Sequence, residues 1–383
     1  MTTTDKNQKQ LAALPFWRRA AILFISTLRW VFRTFVAVIT FVLISLFLVS
    51  AFSDWVNPES WLLAAYMGLF FPLFAVLLLV WTVLLILAHR WKNLVVALAV
   101  LLIGSGRLWR YCPTHFGSQS VLTEMTDATG AVVPIEADTL RVMTYNTHAM
   151  GGANLPNVKS KLPVVDLVRQ SGADIVCLQE YAFAISKKGH HEQEIRARLK
   201  DIYPYYGFVN NKGRKAMGVA LFSKYPIKVY EKIDDGKYYG AIAYAEIDYK
   251  GRKLALVNSY LQSFQIPNEE RAFMHDMGVK FETDSIERVE KVLRNLSNAF
   301  ESRSKQSQQV VDYLQQKNLD ETTPLLVMGD MNDTPISYSY RMMRGELADS
   351  WEEGGFGLGV SFRNFPFWFR IDHIFHSSHM RVI

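Results

Sequence analysis

The chain has 383 residues and a formal net charge of +6, but this charge is divided unevenly along the sequence. Residues 1–110 contain ten Lys or Arg and three Asp or Glu, whereas residues 111–383 contain 32 basic and 33 acidic residues. The larger part therefore lacks the basic surface expected of a dedicated duplex-DNA-binding domain. The two cysteines are too few for a disulfide framework and have no metal-ligand spacing.

Three apolar runs follow a basic N-terminus, residues 1–33. Phe35–Phe52 offers 18 residues without a charge and Trp61–Leu87 offers 27, near or beyond the roughly 20 residues that cross a bilayer. The third run, Leu94–Trp109, is shorter and is interrupted by glycines and an arginine, so it is expected either to span or to lie partly in the interface. Residues 34–110 are therefore predicted to form a membrane region with two or three transmembrane helices.

The distribution of basic residues around these runs predicts an orientation. Lys and Arg cluster before the first run, and the loop Ser53–Ser60 after it contains neither. Because basic loops stay in the cytoplasm, the N-terminus is expected inside and this loop outside. Two spans would leave the rest of the chain in the cytoplasm, and Arg107 and Arg110 weigh mildly toward that arrangement. Three spans are preferred, which predicts a multi-pass inner-membrane protein with an extracytoplasmic soluble domain.

After a linker at residues 111–138, a domain is expected over residues 139–383. Its short apolar runs are rich in Val, Ile and Leu and end abruptly in polar residues, a pattern typical of strands buried on both faces. Helical spacing between them indicates an α/β class, whose reacting groups lie at strand ends. The runs are Leu140–Tyr145, Ile175–Leu178, Leu254–Val257 and Leu325–Met328, and the helical stretches are Val158–Gln170, Gln193–Leu199 and the long region Asn268–Lys317.

Four polar residues at three of these strand ends are candidates for chemistry. Asp330 and Asn332 stand two residues apart, so both can face one ligand: Asp330 can accept a proton from water or bind a metal, and Asn332 can hydrogen-bond a phosphoryl oxygen. An Asx-rich turn that caps the next helix is the alternative. Mg²⁺ is typically held by one or two carboxylates together with waters and phosphate, so a single carboxylate such as Glu180 can serve as its protein ligand. Glu180 and Asn146 could equally be solvated loop residues.

Taken together, the segments resemble the endonuclease/exonuclease/phosphatase superfamily, which includes deoxyribonuclease I, AP endonucleases and neutral sphingomyelinases. The resemblance runs from Leu140 to the end, and six segments in the same order are more specific than any one of them. These segments are Val142–Asn146, Ala173–Glu180, Gly218–Ile227, Leu256–Leu261, Val327–Pro335 and Arg370–Phe375.

The resemblance implies a deoxyribonuclease I-like sandwich of two sheets flanked by helices, with one metal-assisted phosphoester-cleaving site. By motif, Glu180 would hold Mg²⁺ or Mn²⁺, and Asn146 would help to position the metal and the phosphate. Asp330 and Asn332 would align the attacking water and the developing charge. Tyr260 stands where many members have His, although AP endonuclease-like members also have Tyr there.

The same resemblance implies that Asp372 orients a histidine in a closing Ser-Asp-His segment. That segment is expected beyond Ile383, in a continuation of the sequence. His373 and His376 are the alternative sources of an imidazole, against the more common surface or packing roles of such residues. Strand alternation predicts that His376 shares the face of Asp372 and that His373 faces oppositely.

These features favour a membrane-anchored, divalent-metal-dependent phosphoester hydrolase of the phosphodiesterase type. A bilayer anchor suits a lipid head group as substrate, and nucleic acid is less favoured. The alternative is a catalytically silent membrane protein that uses the same fold to bind a phosphorylated ligand or partner. A closing Ser-Asp-His segment in the natural gene would favour the enzyme. A transporter is disfavoured because the first two apolar runs contain no charged residue.

Overall fold

The computed structural model describes residues 15–115, 124–126, 132–134, 139–150, 162–183, 192–211, 213–233, 237–264, 285–364 and 367–383. The chain divides into two compact units. The first comprises Met1–Ala51 and Phe70–Ser105, and the second comprises Phe52–Leu69 and Gly106–Ile383.

The helices alternate with strands only in the C-terminal part of the chain. They are α1 (Phe16–Ala51), α2 (Leu62–Leu69), α3 (Phe71–Leu87), α4 (Trp91–Ile103), α5 (Ser105–Tyr111), α6 (Pro163–Gln170), α7 (Glu192–Leu199), α8 (Ser285–Lys317), α9 (Tyr338–Arg344) and α10 (Ser350–Gly354), with a 3₁₀ turn at Ser53–Trp55.

The first unit consists of apolar helices. In the described part of the chain, α1 is long and apolar enough to cross a membrane, and up to three spans result if the bent pairs α2–α3 and α4–α5 each count as one. The helix α1 begins at Phe16 and not near Phe35, because residues 16–34 contain neither Gly nor Pro to stop it. Thr40 Oγ1 accepts hydrogen bonds from Trp81 Nε1 at 2.9 Å and Asn93 Nδ2 at 3.2 Å, which joins α1, α3 and α4.

The second unit contains two main sheets. One has the strand order β3-β4-β6-β5 and the other the order β11-β14-β10-β9-β8-β7; the pairs β3–β4 and β9–β10 are parallel. The strands are β1 (Glu124–Thr126), β2 (Val132–Pro134), β3 (Val142–Asn146), β4 (Ile175–Ala182), β5 (Tyr205–Asn211), β6 (Arg214–Ser223), β7 (Ile227–Lys232), β8 (Ala241–Tyr249), β9 (Arg252–Tyr260), β10 (Leu325–Asp330), β11 (Ala348–Asp349), β12 (Phe362–Asn364), β13 (Phe367–Phe369) and β14 (Asp372–His376).

Strand β4 shows why the apolar runs are continuous. Ile175 and Cys177 face the opposite sheet, where they pack with residues such as Leu256, whereas Val176 and Leu178 face the helices α6 and α7. On the outer face of the six-stranded sheet, the strands pack against α8 and α9. Both faces of each sheet are therefore buried. The α/β class and the two-sheet sandwich flanked by helices, expected from the sequence, are confirmed. Residues 158–161 and 268–284 of the expected helical stretches lie outside the described residues.

The segment Phe52–Leu69, which runs from the end of the first apolar run into the beginning of the second, packs within the second unit. Leu69 joins Val292, Leu296 and Phe300 of α8 in one apolar cluster. Tyr66 Oη donates to the Leu293 carbonyl oxygen at 2.7 Å, and Ser53 Oγ donates to the Ile336 carbonyl oxygen at 3.1 Å. This segment, which includes α2, is thus part of the compact unit that contains the two sheets.

Candidate active site

Neighbouring strands of both sheets end at one edge of the sandwich. Asn146 ends β3 and Glu180 lies near the end of β4, while Tyr260 and Asp330 end the parallel strands β9 and β10. The first residue of the antiparallel strand β14, Asp372, stands directly opposite Asp330. The strand order therefore brings to one place residues that are more than 200 positions apart in the sequence.

The Asn146 side chain connects the two sheets at this edge. Its Nδ2 atom donates to Asp330 Oδ2 at 2.8 Å and to Glu180 Oε1 at 3.2 Å, and its Oδ1 atom accepts from the backbone N–H of His148 at 2.9 Å. Each of these hydrogen bonds of the Asn146 amide thus orients either a carboxylate or the backbone turn after β3. Asn146 fixes the spacing of Glu180 and Asp330.

Glu180 is held in a conformation that the sequence does not reveal. The β4–β6 register shifts between Leu178 and Tyr181, and Glu180 has a φ of 47°, in the left-handed region that non-glycine residues seldom adopt. Its Oε1 atom accepts a hydrogen bond from Tyr260 Oη at 2.8 Å, and its carbonyl oxygen accepts from Thr147 Oγ1 at 2.8 Å. Backbone strain of this kind clusters at functional sites, where the surrounding contacts maintain it.

The carboxylates at this edge influence one another. Burial and the charge of Asp372 raise the pKa of Asp330 well above its usual value, while hydrogen bonds from Asn146 and the backbone of Asn332 oppose that rise. Burial also raises the pKa of Asp372 to about 6. Burial and the charges of Glu180 and Asp330 raise the pKa of Tyr260, which therefore stays a neutral phenol that donates to Glu180.

The segment after β10 is a tight turn around Asp330. The backbone N–H of Asn332 donates to Asp330 Oδ1 at 2.8 Å, and Asn332 Nδ2 donates to the Leu261 carbonyl oxygen at 2.9 Å. Gly329 has a φ of 145°, and a Cβ atom there would lie 2.0 Å from the Ser259 carbonyl oxygen. Glycine is therefore required before Asp330, and the Asn332 amide holds the turn against the end of β9.

A pair of buried amides behind the site was not singled out by the sequence. Gln179 Nε2 donates to Asn258 Oδ1 at 2.8 Å, and Asn258 Nδ2 donates to the Ala220 carbonyl oxygen at 2.9 Å. Both side chains are fully buried, and together they join the two sheets directly below Glu180 and Tyr260. The only indication in the sequence was that each of the apolar strands β4 and β9 contains such a polar residue, Gln179 in β4 and Asn258 in β9.

Arg303 of α8 supports the same turn from the other side. Its fully buried guanidinium donates from Nε to Asp333 Oδ2 at 3.0 Å and from Nη1 to the Gln262 carbonyl oxygen at 3.0 Å. The group also lies 4.5 Å from the ring centroid of Phe264. Arg303 thus ties α8 to the ends of β9 and β10.

Replacing Arg303 with methionine should leave the buried Asp333 carboxylate without its cationic partner and lower the free energy of unfolding by about 3–5 kcal/mol. The matched control is Arg294→Met on the same helix, where an exposed pair with Glu290 contributes only about 0.3–0.5 kcal/mol. Denaturant unfolding of the detergent-purified protein, monitored by intrinsic fluorescence, measures both. Equal losses for the two variants would contradict a special role for Arg303.

The two histidines of β14 lie in different surroundings. His373 is buried: its Nε2 atom lies 3.0 Å from the Asp333 carbonyl oxygen, and its ring contacts those of Tyr340 and Phe375. Burial lowers the pKa of His373 to about 4, so the ring is neutral at physiological pH. His376 is buried too, and its Nε2 atom lies 2.7 Å from Oε2 of the exposed Glu353. The described contacts of both histidines are therefore packing contacts and polar contacts of buried rings.

The oxygen atoms of the side chains at the strand ends are suitable ligands for a hard divalent cation. Carboxylate and carboxamide oxygens are the ligands that Mg²⁺ prefers, and mutually repelling carboxylates are stabilised by a cation between them. Within the described residues, no group of three or more His, Cys, Asp and Glu side chains could together hold a metal ion. Because Mg²⁺ usually takes only one or two protein carboxylates, Glu180 with a neighbouring oxygen fits this ion better than zinc.

Comparison with known families agrees with this geometry. Residues 143–383 match the model of the Endonuclease/Exonuclease/phosphatase family, which is more than half of the chain. The chain belongs to the endonuclease/exonuclease/phosphatase family. Members of this family are often metal-dependent phosphoester hydrolases, and they commonly use divalent metals. Residues 33–111 match a second model, described as a domain of unknown function. No curated protein matches the chain by sequence.

Solved structures with the deoxyribonuclease I-like fold of this family are also similar to the chain. Sphingomyelinase C from Streptomyces griseocarneus shares 20% identity over 63% of this chain and 84% of its own, with a TM-score of 0.40. Truncated TDP2 from Caenorhabditis elegans shares 17% identity over 63% and 86%, with a TM-score of 0.40. A β-hairpin deletion mutant of beta toxin from Staphylococcus aureus shares 17% identity over 64% and 89%, also at 0.40.

Proposed function

We propose that this protein is a membrane-anchored, divalent-metal-dependent phosphoester hydrolase of the phosphodiesterase type. The observation that carries the proposal is the single hydrogen-bonded group formed by Asn146, Glu180, Tyr260 and Asp330 at the edge shared by both sheets. Membership of a family whose members often cleave phosphoesters supports the same activity.

Each residue in this group has a distinct proposed role. Glu180 supplies the carboxylate that holds the cation, and Asn146 fixes Glu180 and Asp330 relative to each other. Asp330 orients the attacking water and accepts its proton as the water oxygen bonds to phosphorus. The bond from phosphorus to the ester oxygen breaks, and that oxygen leaves as an alkoxide that takes a proton from solvent water. Mg²⁺ or Mn²⁺, when bound, supplies charge neutralisation at the phosphoryl oxygens. The Tyr260 hydroxyl holds Glu180 in place, and Asp372 maintains the negative field around Asp330.

The substrate class is proposed to be a lipid phosphodiester, because the domain is covalently continuous with an apolar helix long enough to cross a membrane. The test is hydrolysis by the full-length protein with Mg²⁺, comparing sphingomyelin, phosphatidylinositol phosphates, a dinucleotide and duplex DNA. Preferential release of a phosphorylated head group is expected. Faster cleavage of DNA would reject the lipid substrate, and inactivity on every phosphoester, with binding retained, would favour a catalytically silent binding protein.

We also propose that the protein is a multi-pass inner-membrane protein with residues 139–383 outside the cytoplasm. The support is the basic N-terminus and the three apolar segments, α1, α2–α3 and α4–α5. A reporter fused after residue 120 is expected to be active if it works only in the periplasm and silent if it works only in the cytoplasm. A fusion at residue 12 is the control and should give the opposite pattern. A cytoplasmic signal at residue 120 would reject the three-span arrangement.

A further inference from the structure

A polar cavity lies in the second unit, and none of the residues that line it belongs to the strand-end site. Its volume is about 290 Å³, near the lower end of the roughly 300–1,000 Å³ of ordinary small-molecule sites. Four of its seven lining residues are arginines from two separate parts of the chain. The lining consists of Asp54, Trp55, Arg107, Arg110, Arg341, Arg344 and Gly345.

Asp54 is the only acidic residue in this lining, and two arginines share it. Arg107 Nη2 lies 3.4 Å from Asp54 Oδ1, and Arg110 Nη1 lies 3.3 Å from Asp54 Oδ2. Both distances exceed the roughly 2.7–2.9 Å of a close charge-assisted hydrogen bond. The buried Asp54 carboxylate therefore accepts a hydrogen bond from each guanidinium group and holds both beside the cavity.

The two arginines of α9 add further positive charge. Arg344 Nη2 lies 2.9 Å from Glu352 Oε2, and Glu352 also accepts from Arg110 Nε at 3.0 Å. For Arg341, the described part of the chain provides no acidic group within 4.0 Å, and its guanidinium lies 5.4 Å from the centre of the Trp55 ring. Four arginines against Asp54 and Glu352 leave a net charge of 4 − 2 = +2.

These charges act on one another, which makes the cavity costly to assemble without an anion. Asp54 lies in the field of Arg107, Arg110 and Arg341, and Arg107 lies in the field of the other three arginines. Repulsion among guanidinium groups at such distances is offset when a bound anion lies between them. Planar guanidinium groups bind phosphate oxygens in pairs, so phosphate is the anion that this lining fits best.

The sequence positions of the lining residues indicate where the phosphate comes from. Asp54 follows the end of the apolar helix α1 by three residues, and Arg107 follows the end of α4 by four. The Trp55 side chain is 63% exposed, and exposed Trp beside an apolar segment is typical of a membrane–water interface. Basic pockets next to membrane helices bind the head groups of anionic lipids.

We propose that this cavity binds the phosphate of an anionic phospholipid, with the guanidinium groups of Arg341 and Arg344 closing on it opposite Arg107 and Arg110. The site is separate from the strand-end site, and its occupation does not require hydrolysis. It also gives a reason for the arginines of α5, at the end of the third apolar segment, where the positive-inside rule disfavours them if that segment spans.

The test uses the full-length protein in a neutral detergent, titrated with phosphatidylglycerol or phosphatidylcholine, with bound lipid counted by native mass spectrometry. Phosphatidylglycerol is expected to bind the parent more tightly than phosphatidylcholine. Arg341→Gln should weaken phosphatidylglycerol binding by about tenfold, since one charge-assisted hydrogen bond is lost. The matched control is Arg294→Gln, which removes one exposed arginine from α8 and should bind the lipid as the parent does.

Equal binding of phosphatidylglycerol by Arg341→Gln and the parent would overturn the proposal, as would an equal loss in Arg294→Gln. Thermal unfolding of Arg341→Gln should match the parent, because the Arg341 side chain is exposed. A competition experiment distinguishes a lipid phosphate from a soluble phosphate as the occupant of the cavity. Displacement of the bound lipid by millimolar inorganic phosphate would reject the lipid and assign the cavity to a soluble phosphate.

Discussion

Glu180→Gln in the full-length protein is expected to lower Mg²⁺-dependent phosphodiester hydrolysis by about a thousandfold or more, with the fold unchanged. Glutamine keeps an Oε1 atom that can still accept the hydrogen bonds from Tyr260 and Asn146, so the local geometry should persist. Only the negative charge that would hold the cation is removed. Initial rates with an activated phosphodiester, measured over a range of Mg²⁺ concentrations, give the result.

The control for this prediction is Glu290→Gln, which removes a carboxylate from the exposed face of α8. Its rate should equal that of the parent. Isothermal titration with Mg²⁺ supplies a readout independent of turnover, and Glu180→Gln should show weakened binding. Equal affinity for Mg²⁺ in the variant and the parent would remove Glu180 from the proposed site.

Asp330→Asn is expected to reduce kcat by about 10²–10³-fold. The Asp330 carboxylate accepts from Asn146 Nδ2 through one oxygen and from the Asn332 backbone N–H through the other. An asparagine at this position must turn its NH₂ group toward one of those donors, so the change removes both a charge and a hydrogen bond. The proton of the attacking water would then have no acceptor.

Asp312→Asn on α8 is the matched control, because this exposed carboxylate contacts only Gln308 in the described structure. Its kcat should be that of the parent. Comparing the change in kcat with the change in KM gives a further test of the role of Asp330. Loss of a group that acts on the attacking water lowers kcat more than it raises KM. An unchanged kcat in Asp330→Asn would contradict the role proposed for Asp330.

Much of this arrangement could be predicted because each buried strand is a continuous apolar run that ends in a polar residue. The amino-acid sequence alone therefore indicates Asn146, Glu180 and Asp330, at the ends of β3, β4 and β10. The left-handed backbone of Glu180 could not be predicted, because it depends on the register shift between β4 and β6. Register is a property of two strands together, and the sequence of one does not specify it.

Two other features could not be predicted from the sequence, for a different reason. An arginine within a polar helix is normally solvated, so the sequence of α8 gave no indication that Arg303 is buried against Asp333. Likewise, α2 lies at the start of an apolar run that the sequence predicts to be a transmembrane span. Its packing against α8 depends on a cluster with Val292, Leu296 and Phe300, which are distant in sequence.

The position of the segment Phe52–Leu69 has a consequence for the order of events during synthesis. Its first partner in the apolar cluster on α8 is Val292, so 292 − 69 = 223 further residues must be translated before that partner becomes available. Contacts so distant in sequence form late, and chains fold largely in the order in which they are made. During that interval Leu69 and its neighbours lack the apolar cluster that covers them in the finished protein. The sandwich therefore cannot be completed until α8 has been translated. The preceding interval is the stage at which premature aggregation or recruitment of a chaperone would occur.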